Sequence, residues 1–372
     1  MKKILFSTTS FDTINNGPAL FVNLLYENLK NDDEVDLRVL TEDTSRSSGK
    51  IYKLGLKQTT FTKYIYQFLR VFKYHQKANK IRKEFNYDVI VYNNAFTGYL
   101  TALYAKVPVI VMVNDYNRLQ RKTQKIKLNK SYFKNVILFY LEKIAAKKAT
   151  TVIANSLYMK SMLLQLYQLD ENKIEILIKG IDLSKYRFKL RENIDGVIKV
   201  LFVKADYRTG QLINVIKALK SLTNFKFQLI VIGPPQHEIN NVKMILEESL
   251  LNYELYGFLK PEVVRTYFQK ADILCMCPLR EALGVANMEA LASGLPVISS
   301  NVGGIPEVLD RGNCGWMVAP DKTNELQDAL LECIVNKEKR IEKSLNGKEF
   351  VKKFDSKNLI KNFLNIVSVS NY

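Results

Sequence analysis

A chain of 372 residues, 47% apolar and 25% charged, has the balance of a globular protein of two or three domains and excludes disordered, collagen-like and disulfide-stapled classes. No stretch approaches the roughly 20 apolar residues that span a bilayer, and the apolar run after Lys2 and Lys3 is too short for a signal peptide, so a cytoplasmic protein is expected. The net charge of +18 is concentrated in residues 51–150, which hold 20 Lys or Arg against Glu84, Asp88, Asp115 and Glu142.

In chain order, short β-branched runs alternate with amphipathic stretches. Strands are predicted at Ile4–Thr8, Val35–Leu40, Val89–Tyr92, Val107–Val113 and Thr151–Ala154, with helices near Pro18–Lys30, Tyr64–Phe85, Gly98–Lys106, Tyr132–Lys148 and Ser156–Tyr167. Glu175–Ile178, the tetrapeptide Lys179-Gly180-Ile181-Asp182 and a charged connector to Gly196 form a transition. The alternation then restarts, with strands at Ile198–Lys204, Phe227–Gly233, Glu254–Tyr256, Ile273–Cys277 and Val297–Ser299. Such alternation predicts parallel sheets with helical crossovers. The restart predicts an α/β protein of two Rossmann-like, doubly wound domains facing a cleft, 1–185 and 186–354, with a tail helix at about 355–370 packing back on the first. Ligands of such sheets sit at the carboxyl ends of the strands.

Cys275, Cys277, Cys314 and Cys333 all lie in the second half. Cys275 and Cys277 are too close for an unstrained disulfide, and buried thiols are expected, a thiolate metal site being the alternative. His75 and His237 stand without nucleophile or metal-ligand partners in the sequence, which argues against histidine-centred hydrolysis. The basic region interleaves aromatics with its charge along Thr62–His75. Behind the cluster Arg121, Lys122, Lys125, Lys127 and Lys130 it again carries aromatics, Tyr132, Phe133, Phe139 and Tyr140. This pattern suits an anionic membrane surface and equally a solvated face; no nucleic-acid-binding module accompanies it.

The densest chemical signal spans 278–307. Pro278 stops a strand, Gly284 opens a helix running to Ala292, and Gly294 and Pro296 close it. Glu281 precedes this helix and Glu289 lies inside it, turned by about 80° around the axis. The two carboxylates would therefore hold separate parts of an extended ligand, while the amides of Gly284, Val285 and Ala286 offer an anion site at the helix head. A sugar, a diphosphate and a ribose present matching groups in that order; a salt-bridged structural loop fits the same residues.

The Glu281-x7-Glu289 spacing, with Gly284 between and Ala-x-Ala-Ser-Gly-Leu-Pro-Val-Ile from Ala290, resembles the donor motif of family-4 retaining glycosyltransferases (group 1 type, GT-B fold). Gly257-Phe258 before Pro261, Tyr267–Asp272, Gly303-Gly304-Ile-Pro-Glu307, Asn155-Ser156, Lys179–Asp182 and Asn16-Gly17-Pro18-Ala19 extend the resemblance over most of the chain. It implies a hexosyl- or N-acetylhexosaminyl-type transferase acting on a UDP- or GDP-linked sugar without metal or cofactor. The acceptor would be a glycan or lipid-linked molecule in cell-envelope polysaccharide or glycoconjugate synthesis, at the inner face of the membrane. Glu281 would bond a donor-sugar hydroxyl, Glu289 the ribose, Gly284–Ala286 the phosphate or sugar oxygens, and Gly17 would let the backbone approach the diphosphate.

Two departures from the family pattern stand out. Where relatives place Arg and Lys five apart, this chain has Lys204 and, at the lysine position, Thr209, with Arg208 one residue earlier. Lys204 and Arg208 would stabilise the departing diphosphate, with altered geometry because the two cations are not equivalent. Asn114 stands where relatives often carry a histidine that contacts the donor sugar, and an amide cannot take a proton at neutral pH. Asp115 and Arg118 follow it as cleft candidates. Leu283 stands where an aromatic is common. These changes leave a second expectation open, a catalytically weak GT-B scaffold partner of another glycosyltransferase.

Overall fold

The structure, a computed structural model, describes residues 1–12, 17–45, 49–56, 66–114 and 130–370; in the helices opening at 17 and 130 it describes side chains from 19 and 135 onward. Asn16, Asp115, Arg118 and the cluster Arg121–Lys127 lie outside the described residues, as do the side chains of Pro18, Lys130, Tyr132 and Phe133. The chain divides into two units, 1–179 with 359–372, and 180–358.

In the first unit the strands are β1 (Lys2–Thr8), β2 (Val35–Thr41), β3 (Ile51–Lys53), β4 (Val89–Tyr92), β5 (Val109–Val113), β6 (Thr151–Ala154) and β7 (Ile174–Ile176). Among the described residues they form one parallel sheet in the order β3-β2-β1-β4-β5-β6-β7. β4, β5 and β6 are buried along their whole length, which is why they read as unbroken apolar or β-branched runs and not as alternation. The helix Tyr66–Phe85 buries Val71, Tyr74, Ala78, Ile81 and Phe85, a 3-4-3-4 spacing that lays one stripe on the core. Phe68, Phe72 and Lys73 face outward.

The helix Ser356–Val369 belongs to this core over most of its length. Phe363 lies 5.9 Å from the ring of Phe6 and 6.0 Å from that of Phe21, and Ser370 Oγ meets Thr151 Oγ1 at 2.8 Å. Helix period and an apolar face at Leu359, Phe363, Ile366 and Val367 cover the helix side of β1.

The second unit restarts with β8 (Val197–Val203), β9 (Lys226–Ile232), β10 (Asn252–Tyr256), β11 (Ile273–Met276), β12 (Val297–Ser300) and β13 (Trp316–Val318). Its parallel sheet has the order β10-β9-β8-β11-β12-β13. Strand order reverses beside β8, so the loops after β8 and β11 open at a topological switch point. The connector before β8 is tied down by Arg191. Its buried guanidinium donates to the carbonyls of Phe268, Ala271 and Ser293 at 2.6, 3.2 and 2.6 Å. The four cysteines are buried and free.

β3 and β13 are strands that the apolar pattern does not announce, each three residues long at a sheet edge. The expected helix Ser156–Tyr167 is split: its α-helical part is Leu157–Met162, and Leu163–Tyr167 widens into a π-turn. Replacing Phe363 by Ala empties the space between Phe6 and Phe21. It should cost about 3–5 kcal/mol, read as a lowered denaturant midpoint by far-ultraviolet circular dichroism, with an unchanged midpoint refuting this packing role.

Candidate active site

The carboxyl end of the second sheet brings together the loops that follow β8, β11 and β12. Lys204 directly follows β8, and its ammonium forms an ion pair with Glu281 Oε2; both side chains are largely withdrawn from solvent. Glu281 stands on the loop between β11 and the helix Val285–Ala292. The loop after β12 presses on its backbone. Gly304 N donates to Glu281 O at 3.2 Å, and a Cβ at Gly303, where φ is +60°, would overlap that same oxygen. Glycine is thus the residue that lets the Gly303-Gly304 turn hold Glu281 in place. The β8 loop is tied to the β11 loop as well, through Leu279 N and Thr209 O at 2.9 Å.

Gly284, with φ at +96°, turns the chain into the helix Val285–Ala292. The first amide to find a carbonyl inside that turn is Asn287 N, 3.0 Å from Gly284 O. Those of Val285 and Ala286 head the helix with no preceding turn to bond, the usual basis of an anion site. Asn287 is fully buried and its Oδ1 has no partner among the described residues.

Glu289, one turn deeper, accepts from the Tyr186 hydroxyl at 2.6 Å. Burial raises its pKa, against the hydrogen bond from Tyr186 and the charge of Arg265. It does not meet Glu281's partners, as the angular offset requires. Arg208 and Thr209 are also engaged. The exposed Arg208 guanidinium grips Glu238 with two bonds, 2.9 and 3.2 Å, and its hydrogen bond holds the Glu238 carboxyl down at about 2. The Thr209 hydroxyl donates to Asp206 Oδ2 at 2.6 Å, and the amides of Arg208 and Thr209 donate to Oδ1. Burial disfavours the Asp206 carboxylate, yet these bonds hold its pKa below the usual range. Lys204 and Glu281 are therefore brought together, whereas Arg208 is committed to a different carboxylate.

In the first unit, Gly17 is the opening residue of the helix Gly17–Leu29 that follows β1. Asn114 directly follows β5, and its Nδ2 donates to Asn93 O and Oδ1 at 2.5 and 3.0 Å. Its Oδ1 accepts from Lys179 Nζ at 2.7 Å, and its carbonyl accepts from Asn155 Nδ2 at 3.2 Å. His75 lies elsewhere, between Thr101 and Asn79. Among the described residues there is no group of three or more His, Cys, Asp or Glu able to hold a metal ion.

Sequence reasoning did not assign Tyr186, Glu238 or Lys179 to a site. Tyr186 and Glu238 stand in short loops without periodicity, and nothing in their spacing marks them. Lys179 carried a signal: a lysine that closes the largely apolar run 174–178, whose first three residues form β7.

A family model described as glycosyl transferases group 1 matches residues 184–350, and one described as glycosyltransferase family 4 matches residues 16–185. The chain belongs to this group 1, family 4 class of glycosyltransferases and has the GT-B fold class, with two Rossmann-like domains. The uncharacterized 41.2 kDa protein in the cps region of Klebsiella pneumoniae is 25% identical over 345 residues, 86% of this chain and 87% of that protein. The amylovoran biosynthesis glycosyltransferase AmsK of Erwinia amylovora is 32% identical over 168 residues, 43% of this chain and 41% of its own. Among solved structures, Anabaena HepE in complex with UDP-glucose matches with a TM-score of 0.74 at 16% identity, covering 99% of this chain and 100% of that one.

Gly303→Ala should leave the far-ultraviolet circular dichroism intact and lower sugar transfer about 100-fold by displacing Glu281, the scale expected for a misplacement of about 1 Å. Full activity in that variant would show that the turn does not position Glu281.

Proposed function

We propose that the protein is a retaining, metal-independent glycosyltransferase. It moves a hexosyl- or N-acetylhexosaminyl-type sugar from a UDP- or GDP-linked donor to a glycan or lipid-linked acceptor, in cell-envelope polysaccharide or glycoconjugate synthesis. The observation that carries this reading is the Lys204–Glu281 pair beside the head of the helix Val285–Ala292. A cation, a hydroxyl-binding carboxylate and free amides there meet the chemistry of a sugar diphosphate. The amylovoran assignment of AmsK and the UDP-glucose bound to HepE support the substrate class.

In the proposed reaction the bond between the anomeric carbon and the diphosphate oxygen breaks. Lys204 and the amides of Val285 and Ala286 take up the charge that develops on the leaving group, the task a metal ion performs elsewhere. The acceptor hydroxyl bonds to the same face of the sugar, and its proton passes to the departing phosphate oxygen. Glu281 exchanges its bond from Lys204 for one from a sugar hydroxyl, which frees the ammonium for phosphate. Glu289, held by Tyr186, accepts from the ribose. Gly17 offers close backbone approach, Asn114 bonds a sugar hydroxyl, and Arg208 and Thr209 complete the β8 loop.

The basic first unit would meet an anionic membrane surface. Phe68, Phe72, Tyr104, Ile137 and Tyr140 are exposed on it beside Lys73, Lys80 and Lys83. No helix of the described residues is long and apolar enough to cross a membrane, so attachment would be peripheral. Sedimentation with phosphatidylglycerol vesicles should fall as salt rises and fall further for Phe68→Ser/Phe72→Ser; absence of binding at low salt would overturn this part.

A thermal-shift screen of UDP- and GDP-sugars should raise the melting temperature with one donor class. With that donor, Glu281→Ala and Lys204→Met should each lower turnover by about 100- to 1000-fold. Donor binding without turnover by the wild type would favour the scaffold reading, for which the Asn114 and Thr209 departures are the grounds.

A further inference from the structure

Lys179 follows β7 and carries its ammonium into the polar end of the first sheet. It is 8% exposed, donates to Asn114 Oδ1 at 2.7 Å and to Asn93 Oδ1 at 3.5 Å, and lies 5.0 Å from the ring centroid of Phe21. Among the described residues its hydrogen-bond partners are neutral amide oxygens. The charged groups on neighbouring loops are engaged elsewhere: Glu42 with Arg70 at 2.7 Å, Asp43 with Phe11 N and Thr41 Oγ1, and Asp12 with Ser45. Burying a cation against neutral groups is costly, and folds that keep one generally use it.

The use follows from donor and acceptor logic. An ammonium can only donate, so the amide facing it must present oxygen. That rule turns Asn114 Oδ1 to Lys179 and sends Asn114 Nδ2 to Asn93 O and Oδ1. Asn93 Oδ1 is then surrounded by donors, and Asn93 Nδ2 faces Thr8 Oγ1 at 3.2 Å. One proton on Lys179 thus orients two amides across the ends of β1, β4 and β5. A neutral amine accepts as well as donates, and the rule lapses.

We propose that Lys179 is the positioning residue of the first unit's sugar subsite, its ammonium locking the Asn114 amide in the orientation that serves a sugar hydroxyl and its amine releasing it. The inference rests on the reading of Asn114 given above. Desolvation pushes the Lys179 pKa down to about 7, so the locked form prevails below that value and is lost as pH rises through it. Stability runs the other way. Between the folded value and the ordinary 10.5 the unfolded chain holds the proton that the folded chain has released, so stability rises with pH over that window. A merely structural lysine would move stability alone.

The test is calorimetric titration of UDP and of UDP-glucose into the wild type, Lys179→Met and Lys179→Arg from pH 6 to 9. Wild-type affinity for UDP-glucose should weaken about 10-fold across the range, the scale of one charge-assisted hydrogen bond, while UDP affinity stays constant. Lys179→Met should bind UDP-glucose about 10-fold more weakly at pH 6 with no pH dependence. Lys179→Arg, charged throughout, should bind tightly at every pH. Unchanged UDP affinity certifies that the variants fold. UDP-glucose affinity in Lys179→Met equal to wild type, or a pH slope surviving in it, overturns the inference alone; wild type binding neither these probes nor GDP and a GDP-sugar titrated in the same way overturns the donor reading beneath it.

Discussion

A carboxylate and an ammonium that face each other at a sheet's open end must be held there by backbone, because neither is buried deeply enough for packing to fix it. Lys204 is the first residue after β8, and Glu281 is pinned by a glycine turn that closes on its carbonyl. Partly buried pairs of this kind contribute little to stability, since desolvation offsets most of the Coulombic gain. In the proposed reaction each partner would hold the other's charge until a donor phosphate and a sugar hydroxyl take its place. Two further charged groups of this loop cluster are likewise engaged, Glu289 by the Tyr186 hydroxyl and Arg208 by Glu238.

Strand order places that pair. Crossing from β9 through β8 to β11 separates the connecting loops on either side of β8, and the space between them is where a parallel sheet admits a ligand. The first sheet repeats the geometry with a different population. Among the described residues, Asn93, Asn114 and the ammonium of Lys179 meet at the ends of β4 and β5, where the second sheet has the Lys204–Glu281 pair.

Much of the fold was legible because fully buried parallel strands leave continuous apolar or β-branched runs. β4 and β6 occupy the segments read from the sequence, β1, β2, β5, β10, β11 and β12 differ by one or two residues at one end, and β8 and β9 are each shifted by one residue toward the N-terminus. β3 and β13 escaped because a three-residue edge strand has one neighbour and no periodicity to display. The π-turn after Met162 escaped for a different reason: an extra residue in one turn leaves the apolar spacing nearly unchanged. At the site, the residues embedded in a glycine-punctuated motif could be found, since tight turns constrain sequence. Tyr186 and Glu238 could not, because a hydrogen-bond partner reached across the fold leaves no local trace. Lys179 was visible as an incongruous charge, but its two asparagine partners lie 65 and 86 positions away.

Hydrogen-exchange mass spectrometry with and without UDP-glucose tests the central claim most directly, because it reads the backbone around Lys204 and Glu281 without requiring an acceptor. Slowed exchange should appear in the peptides covering 203–210 and 280–290, and should vanish from both in Glu281→Ala. Protection confined to other segments, or retained in that variant, would contradict the account.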